Sequence, residues 1–100
     1  FEKEVNLDVV NKLHIYKKDG FKIIIFTARN MNTFNGDLVK ISKFTLPIIE
    51  DWLKTRDIPF DEIIIGKPWC GLDGFYIDDK SVRPDEFVNL SYEEINQLIK

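Results

Sequence analysis

Cysteine occurs once in these 100 residues, at Cys70, so the chain can form neither an internal disulfide nor a multi-cysteine zinc site, which fits a reducing cytoplasm. Histidine also occurs once, as His14 on the first predicted helix, and nothing in the pattern brings it to Cys70; thiol-nucleophile chemistry is set aside. Long apolar runs are missing, which excludes a membrane span or a signal-peptide core and leaves no membrane partner. Excess positive charge is missing too. Fourteen basic residues stand against 17 acidic ones, a net charge of -3, and they are scattered rather than aligned along one stripe, which argues against nucleic acid. There is no repeat, low-complexity tract or linker, so residues 1–100 read as one domain. What is present is a 44% hydrophobic, 31% charged chain, apolar enough for one core and too apolar for disorder.

The apolar periodicity from Asn6 to Lys18 (Val9, Val10, Leu13, Tyr16) predicts a helix ending near Asp19, with Gly20 beyond it. Phe21–Phe26 is a short β-branched run, as expected of a strand covered on both faces in a parallel sheet. The stretch from Asn30 to Ser42, rich in Asn and Gly, reads as a loop longer than the usual connection of about two to six residues. A second helix is expected from about Thr45, the cap residue, to Arg56, with Leu46, Ile49, Trp52 and Leu53 as its apolar stripe. Ile63–Ile65 and Phe75–Ile77 read as two further strands, and Ser91-x-x-Glu94 is a capping box opening a last helix. Alternating strands and helices argue for an α/β fold with a parallel sheet.

Ligands of open parallel sheets bind beyond the carboxyl ends of the strands. Each predicted strand ends on or near a polar group: Thr27, Lys67, and the pair Asp78 and Asp79. Singly, these have ordinary explanations. A threonine after a strand is commonly a turn residue, a lysine before proline a solvated charge, and two adjacent aspartates repel unless solvent or a cation intervenes. Together, a hydroxyl, an ammonium and two carboxylates describe a site for phosphate and a hard cation such as Mg2+. Arg29 follows Thr27 closely enough to clamp a second anionic group bidentately, and Asn30 is taken with it as a substrate contact. Trp69 and Phe75 are candidates for the pocket wall. Asn89-Leu90-Ser91 matches a glycosylation sequon, but the helix cap accounts for the serine.

The segments FKIIIFTARN, IIIGKPW and GFYIDDK, in that order, resemble motifs II, III and IV of the haloacid dehalogenase (HAD) superfamily. The wording TARNM and GKPWCG-x-DGFYIDD is similar to a compact subfamily linked to capsular-polysaccharide biosynthesis. The resemblance spans essentially the whole chain. It implies a three-layer Rossmann-like fold without a large cap domain, so that the pocket is open unless a homo-oligomer covers it. It also implies a cytoplasmic Mg2+-dependent phosphatase or phosphotransferase acting on a small phosphomonoester, such as a sugar phosphate. Thr27 would bind a phosphoryl oxygen, Lys67 would neutralise nucleophile and phosphate, and Asp78 with Asp79 would ligate the metal, Asp78 the more directly.

The family's motif I, Asp-x-Asp at the end of a first, central strand, has no counterpart here. Asp8 and Asp61 are neither followed two residues later by aspartate nor preceded by an apolar strand. The expectation is therefore that the nucleophile and its strand lie upstream of residue 1, that these residues alone are unstable, and that the protein's intact mass exceeds 11.8 kDa. The rival reading within the family is a catalytically inactive HAD-like binding or interaction subunit. Response-regulator receivers use similar groups but place the acidic pair first in the chain, whereas here the order is Thr27, Lys67, Asp78-Asp79.

Overall fold

A computed structural model describes residues 5–100. Helix α1 spans Leu7–Lys18, one residue inside the expected start, because the Asn6 side chain accepts the Val9 amide and caps it. Strand β1 (Ile24–Thr27) is followed by a wound loop, then by α2 (Leu38–Lys40), a π-helical turn (Ile41–Thr45) and α3 (Leu46–Thr55). Strand β2 (Glu62–Ile65), α4 (Pro84–Asn89) and α5 (Tyr92–Leu98) complete the order.

The two strands pair in parallel, Ile24 opposite Glu62 through Thr27 opposite Ile65. The chain is thus an α/β fold, and the core lies beneath α3 and the π turn. Ile41, Ile49 and Leu53 are buried there, with Val10 of α1 and Ile23 just before β1. The amphipathic stripe expected of α3 is present: Ile49 and Leu53 face inward, and Trp52 carries the Arg56 guanidinium 4.6 Å over its ring.

Three expectations are corrected. The loop after β1 ends at Gly36, and helical structure begins at Leu38, because the Asp37 carboxylate accepts the amides of Val39 and Lys40 and nucleates a turn there. Thr45 is consequently no free cap but an interior residue, 2% exposed. Phe75–Ile77 forms no strand. Among the described residues the sheet has two strands, and without a neighbour to form a ladder an isolated extended segment leaves its backbone to water. Phe75 and Ile77 are accordingly 80% and 93% exposed. Helix α4 is additional to the elements expected; Pro84 opens it and the Glu86 carboxylate accepts the Arg83 amide. Lys12 donates to the carbonyls of Val88 and Leu90 at its end and ties α4 to α1. The box at Ser91 and Glu94 forms as expected. Among the described residues no helix is long and apolar enough to cross a membrane.

Candidate functional site

The parallel register brings the ends of β1 and β2 side by side. Just beyond the last pair, the Lys67 amide donates to the Thr27 carbonyl at 3.1 Å, so the two residues are joined through the backbone. Gly66 makes the intervening turn at φ +90°, and a β-carbon there would lie 2.9 Å from the Leu38 side chain. The left-handed backbone is what favours glycine there, since the half-exposed Leu38 methyl can shift.

The Lys67 side chain runs out between two rings, its ammonium 4.4 Å from the centre of Tyr76 and 5.8 Å from that of Phe26. Tyr76 is fixed in turn by its hydroxyl, which donates to the Pro68 carbonyl. Loss of solvent and then the Cys70 thiol beside it raise the Tyr76 phenol above its ordinary value. These groups wall a trough of about 420 Å3 between β1 and residues 76–82, lined by Phe26, Lys67, Tyr76, Ile77, Asp78 and Ser81 among others. One wall is aromatic and aliphatic; Lys67 and Asp78 carry the charge.

Thr27 sits half-buried at the β1 end with its hydroxyl oxygen accepting the Arg29 amide at 3.1 Å. That bond takes an oxygen lone pair and leaves the hydroxyl proton to be donated elsewhere. Asp78 lies exposed at the other side of the trough, where one carboxylate oxygen accepts the Lys80 amide at 2.8 Å. Asp79 is its exposed neighbour and is not among the lining residues. Among the described residues no group of three or more His, Cys, Asp and Glu is gathered as a metal cage. Two adjacent carboxylates with access to water nonetheless suit Mg2+, which keeps several waters and takes one or two carboxylates from a protein.

The structure thus gathers Lys67 and Asp78 into one trough with Thr27 joined to it by the backbone. It does not gather Asn30, whose side-chain oxygen accepts the buried Thr45 hydroxyl at 2.9 Å. Arg29 is half-buried in the same turn. Trp69 is exposed and does not line the trough, whereas Phe26 and Tyr76 do. Sequence reasoning misses those two rings because an aromatic residue in or beside a strand normally reads as core. Asp61, rejected as a nucleophile, is at the opposite end of the strands: its carboxylate accepts the Ile23 amide at 2.7 Å and pairs with Lys17. The Lys17 hydrogen bond, then that amide, holds its carboxyl below the usual range.

No family model and no curated protein matches the chain. The crystal structure of a structural-genomics target from Vibrio cholerae is similar over 94% of this chain and 76% of that one, with 55% sequence identity and a TM-score of 0.91. The chain belongs to the same family as that protein. At this identity and TM-score the two chains share a fold, and no activity comes with it.

Proposed function

We propose that the protein is a Mg2+-dependent phosphatase or phosphotransferase of the HAD type, with a three-layer Rossmann-like core, acting on a small phosphomonoester such as a sugar phosphate of capsule biosynthesis. The observation that carries the reading is the placement of Lys67 and Asp78 in one trough at the carboxyl end of the β1–β2 ladder, with Thr27 bonded to Lys67 through the backbone. The motif resemblance supplies the order of these groups along the chain.

In this reading a carboxylate from a strand upstream of residue 1 attacks phosphorus, the bond to the substrate oxygen breaks, and that oxygen takes a proton as it leaves. Water then attacks phosphorus, releasing phosphate and restoring the carboxylate. Thr27 donates its remaining hydroxyl proton to a phosphoryl oxygen. Lys67, held in line by the faces of Phe26 and Tyr76, stabilises the charge shared by nucleophile and phosphate. Asp78 and Asp79 would hold Mg2+, which when bound offsets the repulsion between carboxylate and phosphate. In this reading the nucleophilic strand would pair with β1, which among the described residues is paired along one edge alone, beside the trough and the Phe75–Ile77 segment. A parallel strand there would satisfy both.

The test is a phosphatase screen of the complete protein with Mg2+ over a panel of phosphorylated metabolites, followed by variants. Lys67→Ala and Asp78→Asn are expected to lower turnover about a hundredfold or more, the scale of losing one electrostatic stabiliser. Unchanged turnover in both ends the site assignment. The alternative reading is a catalytically inactive HAD-like binding or interaction subunit. A sequence upstream of residue 1 in which an apolar strand ends without Asp-x-Asp favours it.

A further inference from the structure

Thr45 carries a hydroxyl in the core, 2% exposed, where a valine of the same shape would have no polar group to satisfy. Its partner is the side-chain oxygen of Asn30, 2.9 Å away and fifteen residues earlier. Asn30 is itself unusual in having φ +61°, a conformation that L-residues adopt sparingly and asparagine tolerates better than most. Thr45 closes a π-helical turn, Ile41–Thr45, whose extra residue shifts the facing of the side chains that follow relative to a regular helix. Three uncommon features therefore meet on one hydrogen bond. What that bond holds is the turn directly after Thr27: the Arg29 amide in it points at the Thr27 hydroxyl, Met31 donates to Ala28, and Phe34 donates to the Asn30 carbonyl.

We infer that Asn30 and Thr45 are positioning residues, tying the Thr27–Asn30 turn to the helical layer so that the Arg29 amide fixes the direction of the Thr27 hydroxyl proton. Asn30 then acts through Thr27, not on substrate. The buried Thr45 donor and the half-buried Asn30 acceptor satisfy one another across the loop, and removing the Asn30 side chain takes this partner from a hydroxyl in the core. The inference rests on the phosphatase reading for what Thr27 contacts, but the tie itself is independent of it.

The experiment uses the complete protein with Thr45→Val, which keeps volume and deletes the hydroxyl, Thr45→Ser, which keeps the hydroxyl, and Asn30→Gly, which keeps the left-handed turn and deletes the side chain. Amide hydrogen exchange over residues 28–36 is expected to speed up about tenfold in Thr45→Val and Asn30→Gly, with α3 unchanged, and to stay within about twofold of wild type in Thr45→Ser. In parallel, binding of inorganic phosphate with Mg2+ is expected to weaken about tenfold in Thr45→Val and Asn30→Gly and to recover in Thr45→Ser, the size of one directed hydrogen bond. Unchanged exchange in Thr45→Val overturns the tie. Faster exchange with phosphate binding unaltered overturns its role at the site. A wild-type protein that binds no phosphate overturns the phosphatase reading instead, and exchange alone then decides the tie.

Discussion

Asp61 and Asp78 stand at opposite ends of the same two-stranded ladder and are held in opposite ways. Asp61, at the amino end, is fully engaged: the Lys17 ammonium and the Ile23 amide both bind it, and the strands start from that knot. Asp78, at the carboxyl end, has one Lys80 amide and an open trough before it. Among the hydrophobic groups, Ile23, Ile41, Ile49 and Leu53 are closed in beneath α3 and the π turn, while Phe26 and Ile77, which line the trough, are exposed. Asp61 thus closes structure at its end of the ladder, and Asp78 faces an open trough at the other.

The largest effect that tests this division belongs to the closed side. Ile41 is 0% exposed, and Ile41→Ala should cost about 3 kcal/mol in denaturant unfolding, the lost transfer energy plus the cavity left behind. A loss under about 1 kcal/mol would mean that the layer under α3 is not the core. Next comes the open side. Ile77→Ser removes a group that is 93% exposed, and for a surface residue the change should lie within about 0.5 kcal/mol. If the proposed strand pairs with β1 in the complete protein it covers Ile77, and the cost should rise to about 2 kcal/mol. We expect the larger value, and a measured cost under about 0.5 kcal/mol removes the strand from the proposal.

A smaller effect belongs to α5, remote from the trough. Ser91→Ala deletes the hydroxyl that accepts the Glu94 amide, and should cost about 1 kcal/mol without changing any phosphate binding. A change in phosphate binding of more than about threefold would show that α5 is coupled to the site, blurring the contrast between the two ends.

How far the sequence reaches can be judged on particular residues. Helix α1, both ladder strands and the α5 box are legible because each rests on local signals: a cap, a β-branched run, or a period. Thr27 and Lys67 can be placed near one another because a parallel sheet aligns its strand ends, whereas Asp78 reaches the trough on a segment that forms no strand. Phe75–Ile77 misleads because its β-branched and aromatic residues state a preference that only a partner strand can satisfy, and partnership is not local. Thr45 misleads for a related reason: the Asp37 cap starts the helix earlier, and a residue with the chemistry of a cap becomes the buried end of a long-range bond. Asn30 reads as a ligand contact for the same cause, since its partner is fifteen residues away.

The smallest effect is the one that tests how Asp61 is held. Asp61 is held below its ordinary pKa by hydrogen bonds that favour the carboxylate, so its contribution to stability is complete above the unfolded-state pKa. It is lost as the pH falls through the lower folded-state value. Asp61→Asn should therefore be less stable than wild type at pH 7, with the gap closing as acid protonates the wild-type carboxyl. The gap should stay modest throughout, because Lys17 and Asp61 are 43% and 28% exposed and solvent screens the pair. Denaturant unfolding from pH 7 down to about 3 measures it, spanning the usual carboxylate range. A gap that holds constant with pH would show that the amide substitution costs geometry rather than charge, and the contrast with Asp78 would then rest on position alone.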